Sequence, residues 1–151
     1  MRHLCSPEHF STILEFASGI ADRGVPLSLV LVEPDGWADS PTAEAVEALE
    51  ALARKYLRHT RRSDRMTRLS SVRYAVLLVD CNRQGAMLFA DRLQAVTAGP
   101  PGGVTISCGI ATWGPDMESH EDLVTAAARA LRRAQSGGGN GIEPHVARRT
   151  A

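Results

Sequence analysis

The sequence is almost without lysine: Lys55 stands alone, and arginine supplies the rest of the strong positive charge. Arginine presents a planar fork of N–H donors, so clusters of it favour bidentate contacts over diffuse ammonium attraction. Net charge is also absent, because 17 Lys and Arg balance 17 Asp and Glu. That excludes a global field able to gather nucleic acid or an anionic membrane, and any partner must be recognised locally. Cysteine is scarce, with Cys5, Cys81 and Cys108 in no paired spacing, so neither a disulfide framework nor a zinc site is expected. The longest apolar run, within VPLSLVLV, falls far short of the ~20 residues of a membrane span. Met1 is not followed by a basic-then-apolar signal segment, and the expected location is the reducing cytoplasm. At 151 residues the chain supports one domain with a proper core.

Apolar periodicity then sets out the elements. Ser6 and Pro7 open a helix with Phe10, Ile13, Leu14, Ala17, Ile20 and Ala21 inward, closed by Gly24. Residues 26 to 33, PLSLVLVE, read as a central strand covered on both faces, and Pro34, Asp35 and Gly36 end it. Ser40 and Pro41 open a second helix, expected to run to about Arg61, with Ala45, Leu49, Leu52 and Tyr56 buried. Residues 66–69 and 72–80 read as strands of a hairpin turning on Ser70 and Ser71, although neither serine prefers positive φ. A third helix covers about 83–97, and GPPGG breaks the chain before a strand at 104–112. Ser119 to Asp122 resembles a capping box opening a last helix that stops at Gly137 to Gly139. This order contains the β-α-β-β-α-β of a ferredoxin-like sheet, so the class is α+β; that topology hosts many functions and licenses none. A domain over 1–142 and a tail over 143–151 are expected.

Four segments carry a family resemblance. RRSDRMTRLSSVRYAVLLVD resembles the stretch of the GGDEF (diguanylate cyclase) family in which an Arg-x-x-Asp element precedes the Gly-Gly-Asp/Glu-Glu-Phe hairpin and an apolar strand. PLSLVLVEPDGW is similar to the family's strand ending in Asp-x-Asp-x-Phe. VTISCGIAT and ARALRRAQSGGGN are similar to its Val-Ser-x-Gly-Ala strand and closing helix, so the resemblance covers about residues 7 to 142. It implies a nucleotidyl-cyclase-type central antiparallel sheet flanked by helices.

It also implies losses. Family members hold two divalent ions between a first-strand carboxylate and one from the hairpin, to activate the GTP hydroxyl and brace its phosphates. Here the hairpin reads Ser70, Ser71, Val72, Arg73, Tyr74, and a valine cannot ligate magnesium. Glu33 and Asp35 stand where the first-strand acids would, with two solvated acids at a strand end as the plainer account. WADSPTAE replaces the guanine-reading loop, and Gln135 and Gly139 replace the Lys and Arg aimed at triphosphate. Each lost charge-assisted contact removes about 1.5 to 3 kcal/mol, which together points to a degenerate domain that is not an enzyme and carries no metal or cofactor.

What survives is Arg61 and Asp64, matching the family's product-binding Arg-x-x-Asp element, with Arg92 where a second arginine often stands. In that element arginine forks the Hoogsteen edge and phosphate of cyclic di-GMP while the carboxylate accepts from guanine N–H groups. Arg58, Arg62 and Arg65 add local positive potential, although arginines at a helix end are ordinarily dipole partners or solvated charges. The expected function is a cyclic di-GMP receptor or regulatory pseudoenzyme in bacterial signal transduction. The alternative is a nucleotide-independent dimerisation or protein-interaction module, and a protein partner or homodimer fits either. No DxLT-type lead-in precedes the first helix, which fits a stand-alone module or a fragment. His3, His9, His59, His120 and His145 lack metal spacing, Trp37 and Trp113 read as core edging, and no Ser/His/Asp or Cys/His arrangement stands out.

Overall fold

The computed structural model describes residues 3–36, 42–99 and 103–147. Its elements in chain order are α1 (Pro7–Ala21), β1 (Leu27–Pro34), α2 (Ala43–Leu57), β2 (Arg65–Arg68), β3 (Tyr74–Val79), α3 (Arg83–Ala98), β4 (Ile106–Thr112), α4 (His120–Ser136) and β5 (Ile142–Pro144). The sheet order is β2-β3-β1-β4-β5. The first four strands pair antiparallel, in the expected α+β, ferredoxin-like arrangement, and β5 adds a short parallel edge. The residue at which a tail was expected to begin therefore lies inside a strand: Glu143 pairs with Gly109, and His145 bonds Ile110 through its amide and Asp116 through Nε2 at 3.0 Å. No helix among the described residues is long and apolar enough to cross a membrane.

All of β1 is buried, as its continuous apolar sequence requires. Alternate side chains serve opposite layers. Val30 and Val32, with Tyr74, Val76 and Leu78 of β3, meet α2 and α3 through Leu49, Leu52, Tyr56, Phe89 and Leu93. Leu29 and Leu31, with Ala75 and Leu77, meet α1 and α4 through Phe10, Leu14, Leu123, Ala127 and Leu131. Ile13, Ile20 and Ala45, expected inside, are half-buried because they lie at the margins of their helices' inward stripes. The tightest contact is at Gly109 of β4, where an added Cβ would stand 2.2 Å from the Leu131 amide nitrogen and 2.3 Å from the Ala127 carbonyl oxygen. The α4 backbone rests directly on the sheet there.

Local chemistry sets the ends. Ser6 caps α1 by accepting the His9 amide at 3.1 Å, and Gly24, at φ +100, turns the chain out of it. The described cap of α2 is Thr42, which accepts from the Ala45 amide, whereas Ser40 and Pro41 lie outside the described residues, as does Trp37. This helix ends at Leu57, short of Arg61, because buried Thr60 donates its hydroxyl to the Leu57 carbonyl at 2.6 Å and the chain tightens into i→i−3 bonds. Asp122 accepts from the Glu118 and Ser119 amides, which holds its carboxyl below the usual carboxylate range and supplies the carboxylate half of the expected capping box. Trp113 edges the core and donates Nε1 to Asp22.

The hairpin is wider than expected. Residues 69–73 form its loop, since a two-residue turn needs positive φ that neither serine adopts; instead Ser70 Oγ accepts from the Val72 and Arg73 amides. At the outer edge of β2, the Cys5 amide donates to the Met66 carbonyl and Thr67 Oγ1 donates to the Cys5 carbonyl.

Two core tyrosines differ. Tyr56 shares a hydrogen bond with Thr97, and burial pushes its hydroxyl pKa up to about 12. The Tyr74 hydroxyl is buried with no partner among the described residues. An unpaired buried hydroxyl costs about 1 to 3 kcal/mol, so Tyr74→Phe is expected to raise stability by about 1 kcal/mol in urea unfolding; a loss instead would reveal a partner. In the same assay Gly109→Ala is expected to destabilise by about 3 kcal/mol, because backbone rather than a flexible side chain must yield.

Candidate functional site

Two places matter: the groove at the end of β1 and the turn between α2 and β2. In the groove, the pairing of Val32 with Tyr74 sets Glu33 opposite Arg73 across the two strands. Arg73 Nε donates to Glu33 Oε2 at 2.7 Å, and Gln135 Nε2 reaches Glu33 Oε1 from α4 at 3.4 Å. Glu33 is only 5% exposed, so it is not the solvated acid that its strand-end position suggests; burial demands the guanidinium beside it. Asp35 is likewise engaged, accepting from Thr105 Oγ1 at 2.6 Å, Ser107 Oγ at 2.7 Å and the Asn140 amide at 2.8 Å. Gly139 lies at φ +78 with its missing Cβ about 3 Å from that carboxylate, so only glycine fits. Val72 is buried in the core beneath α2, and Ser70 and Ser71 stand exposed on the loop. Arg68 holds that loop, giving Nε to the Ser70 carbonyl, Nη2 to the Ser71 carbonyl and Nη1 to Glu50.

A divalent ion needs several converging, uncommitted oxygens. Glu33 faces a guanidinium and a carboxamide, Asp35 holds three donors, and Val72 offers nothing. Among the described residues no group of three or more His, Cys, Asp or Glu converges. The donor set does not fit a divalent cation: the positive charge that offsets Glu33 is Arg73.

At the turn, Asp64 organises the backbone. Its Oδ2 accepts the Arg61 amide at 2.7 Å, its Oδ1 accepts the Val79 amide at 3.3 Å, and its own amide donates to the Arg61 carbonyl. Arg65 Nη1 closes the turn from outside through the carbonyls of Arg62 and Asp64. Arg61, Asp64 and Arg92 then line one cleft of about 100 Å³, with Leu78, Cys81 and Phe89. A larger cavity of about 680 Å³ adjoins it across Arg61, lined by Thr60, Arg62 and Arg65 among others. Because α2 stops at Leu57, Arg61 and Arg62 lie beyond its last turn, where dipole pairing falls off. Among the described residues no carboxylate lies within ion-pair distance of Arg58, Arg61, Arg62 or Arg92. Burial raises the Cys81 thiol pKa, with Arg61 pulling the other way, so the thiol stays protonated at neutral pH.

The three residues singled out from sequence thus come together, whereas the partners of the groove acids were missed. Thr105 and Ser107 alternate on one strand face, and Glu33 and Arg73 are opposite charges across a ladder; both signals emerge once the register is known.

The family described as "Diguanylate cyclase, GGDEF domain" matches residues 43–141. No curated protein matches the sequence. Among solved structures, the active GGEEF domain of a diguanylate cyclase from Vibrio cholerae superposes with a TM-score of 0.87 at 17% identity, over 97% of this chain and 100% of that one. The GGDEF domain of DgcB from Caulobacter crescentus, solved in complex with c-di-GMP, gives 0.84 at 16% identity, over 95% and 90%. Diguanylate cyclase SiaD from Pseudomonas aeruginosa, in complex with its activator SiaC, gives 0.82 at 20% identity, over 93% of this chain and 58% of that one. At such identities the structures speak to the fold, and together with the family match over most of the sequence they place this chain in the GGDEF domain family.

Proposed function

We propose that this GGDEF domain does not cyclise GTP and acts as a cyclic di-GMP receptor, a regulatory pseudoenzyme that binds its ligand at the Arg61–Asp64 turn with Arg92. The observation that carries the reading is the cleft, which Arg61 and Arg92 line together beside a turn bonded by Asp64, with no carboxylate among the described residues within ion-pair distance of either arginine. Arginine is suited to phosphodiester oxygens and to the acceptor edge of guanine, and cyclic di-GMP presents both. The complex of the Caulobacter domain with c-di-GMP supports the ligand class. Against cyclisation stands the groove, where Arg73 occupies the electrostatic role of a cation and the hairpin acid is replaced by core-packed Val72. Ligand at the turn would touch α3 through Arg92 and, through Arg61, the turn that leads into β2, so occupancy has a route to the hairpin. A protein partner or second copy fits as the output, since Phe16 on α1 is 71% exposed and the SiaD complex pairs a cyclase with an activator protein.

Calorimetric titration of the purified chain is expected to show cyclic di-GMP binding and no GTP binding. Arg61→Ala or Arg92→Ala is expected to weaken binding about tenfold or more, each removing a charge-assisted contact. Affinity unchanged in Arg61→Ala, or cyclic di-GMP made from GTP and magnesium, overturns the proposal. For the groove, Arg73→Ala is expected to cost about 2 kcal/mol in urea unfolding, less than a fully buried pair because the Arg73 side chain is 35% exposed. Glu33→Gln combined with Arg73→Ala is expected to recover part of that loss, since no uncompensated carboxylate remains.

A further inference from the structure

On the outer face of α2 the charges are sorted by sign. Glu44, Glu47, Ala51, Arg54 and Arg58 follow one another at alternating steps of three and four residues, so they form one stripe, and all five are exposed. Arg58, the C-cap, keeps helical backbone and so stays in line. The two acids stand at one end and the two arginines at the other, with Ala51 between them and exposed Ala48 beside it. None of the four charged side chains forms an ion pair among the described residues. Within the helix they meet like charge at contact spacing, Glu47 after Glu44 and Arg58 after Arg54, which is unfavourable. The one acid in reach, Glu50 a turn before Arg54, is held by Arg68 at 2.8 Å. The helix dipole accounts for Glu44 and Arg54, but Glu47 lies beyond the first turn, where that effect fades.

We propose that this face pairs with the same face of a second copy of the chain, the two α2 helices running antiparallel about a two-fold axis at Ala51. Reversing the stripe exchanges its acidic and basic ends, so the stripe is its own electrostatic complement. Glu47 of each copy comes to Arg54 of the other, and Glu44 to Arg58, and the axis makes each contact twice. Ala48 and Ala51 carry nothing beyond Cβ, so the helix axes can approach to about 8 Å and bring those charges together. The pairing goes beyond the receptor reading and does not rest on it. One helix against one is a small contact, below the about 1,200 Å² of a standard interface, so the dimer exchanges with monomer.

The test is sedimentation equilibrium on the purified chain without nucleotide, so its outcome is independent of the receptor reading. At about 50 mM salt a dimer with a Kd of about 0.1 mM is expected, weakened about tenfold or more at about 500 mM salt as screening shortens. Glu47→Arg and Arg54→Glu each set like charges together twice in the dimer, and each is expected to weaken it about tenfold or more. Glu47→Arg combined with Arg54→Glu restores opposite charges across the axis, and is expected to bring the Kd back to within about threefold of the wild type. A parallel pair would set each residue against its own copy and show no such recovery. Both positions are exposed, and an unchanged urea midpoint checks that each variant folds; should a single variant fail, the double variant and the salt dependence decide. A chain that stays monomeric at about 0.5 mM in low salt overturns the proposal and leaves the face to a helix of another protein. A dimer indifferent to salt and to both charge reversals also overturns it, by placing association on another surface.

Discussion

The strand β1 is paired on both edges and covered on both faces, and its sequence supplies apolar side chains until Glu33 near its end. A carboxylate in that position must be protonated, solvated or matched by a positive group, because an isolated buried charge is worth far more than the folding free energy can offset. The fold permits the third solution alone: the antiparallel register of β3 brings residue 73 to the same height, and that residue is arginine. Once the guanidinium is there, Gln135 from α4 completes the shell of Glu33, and the hairpin, the central strand and the last helix are tied at one point. A constraint of burial has thereby set the electrostatic character of a whole groove.

Much of this architecture was legible in the chain. The continuous apolar run of β1, Ser6 followed by Pro7, and Ser119 followed by Asp122 each signal through local chemistry, and local chemistry survives in the fold. The expectations that shifted depended on distant groups. Thr60 ends α2 because its own side chain is buried under the domain, which periodicity cannot register. The hairpin loop opened because Ser70 bonds the loop amides, an alternative that spacing between apolar runs does not distinguish from a tight turn. Glu33 reads as a solvated acid until the pairing partner of β1 is known.

For the site the division is similar. Arg61, Asp64 and Arg92 were found by their place in a motif and do share a cleft. The motif does not reveal that Asp64 also accepts the Val79 amide, which has no other strand to bond at the end of the ladder. The neutral total charge also conceals the geography: around one turn gather arginines that have no carboxylate partner among the described residues, while the groove acids are offset internally.

The two outer edges of the sheet have a consequence for assembly. Along β2 the chain's own Cys5 amide occupies the Met66 carbonyl, a backbone group that a foreign strand would seek, and its carbonyl is held by the Thr67 hydroxyl. On the far side, β5 is three residues long and ends in Pro144, which has no amide hydrogen to offer. Both borders are thus short and partly blocked as templates for sheet continuation, which disfavours edge-to-edge polymerisation and favours association through side chains on the helical faces or at the turns.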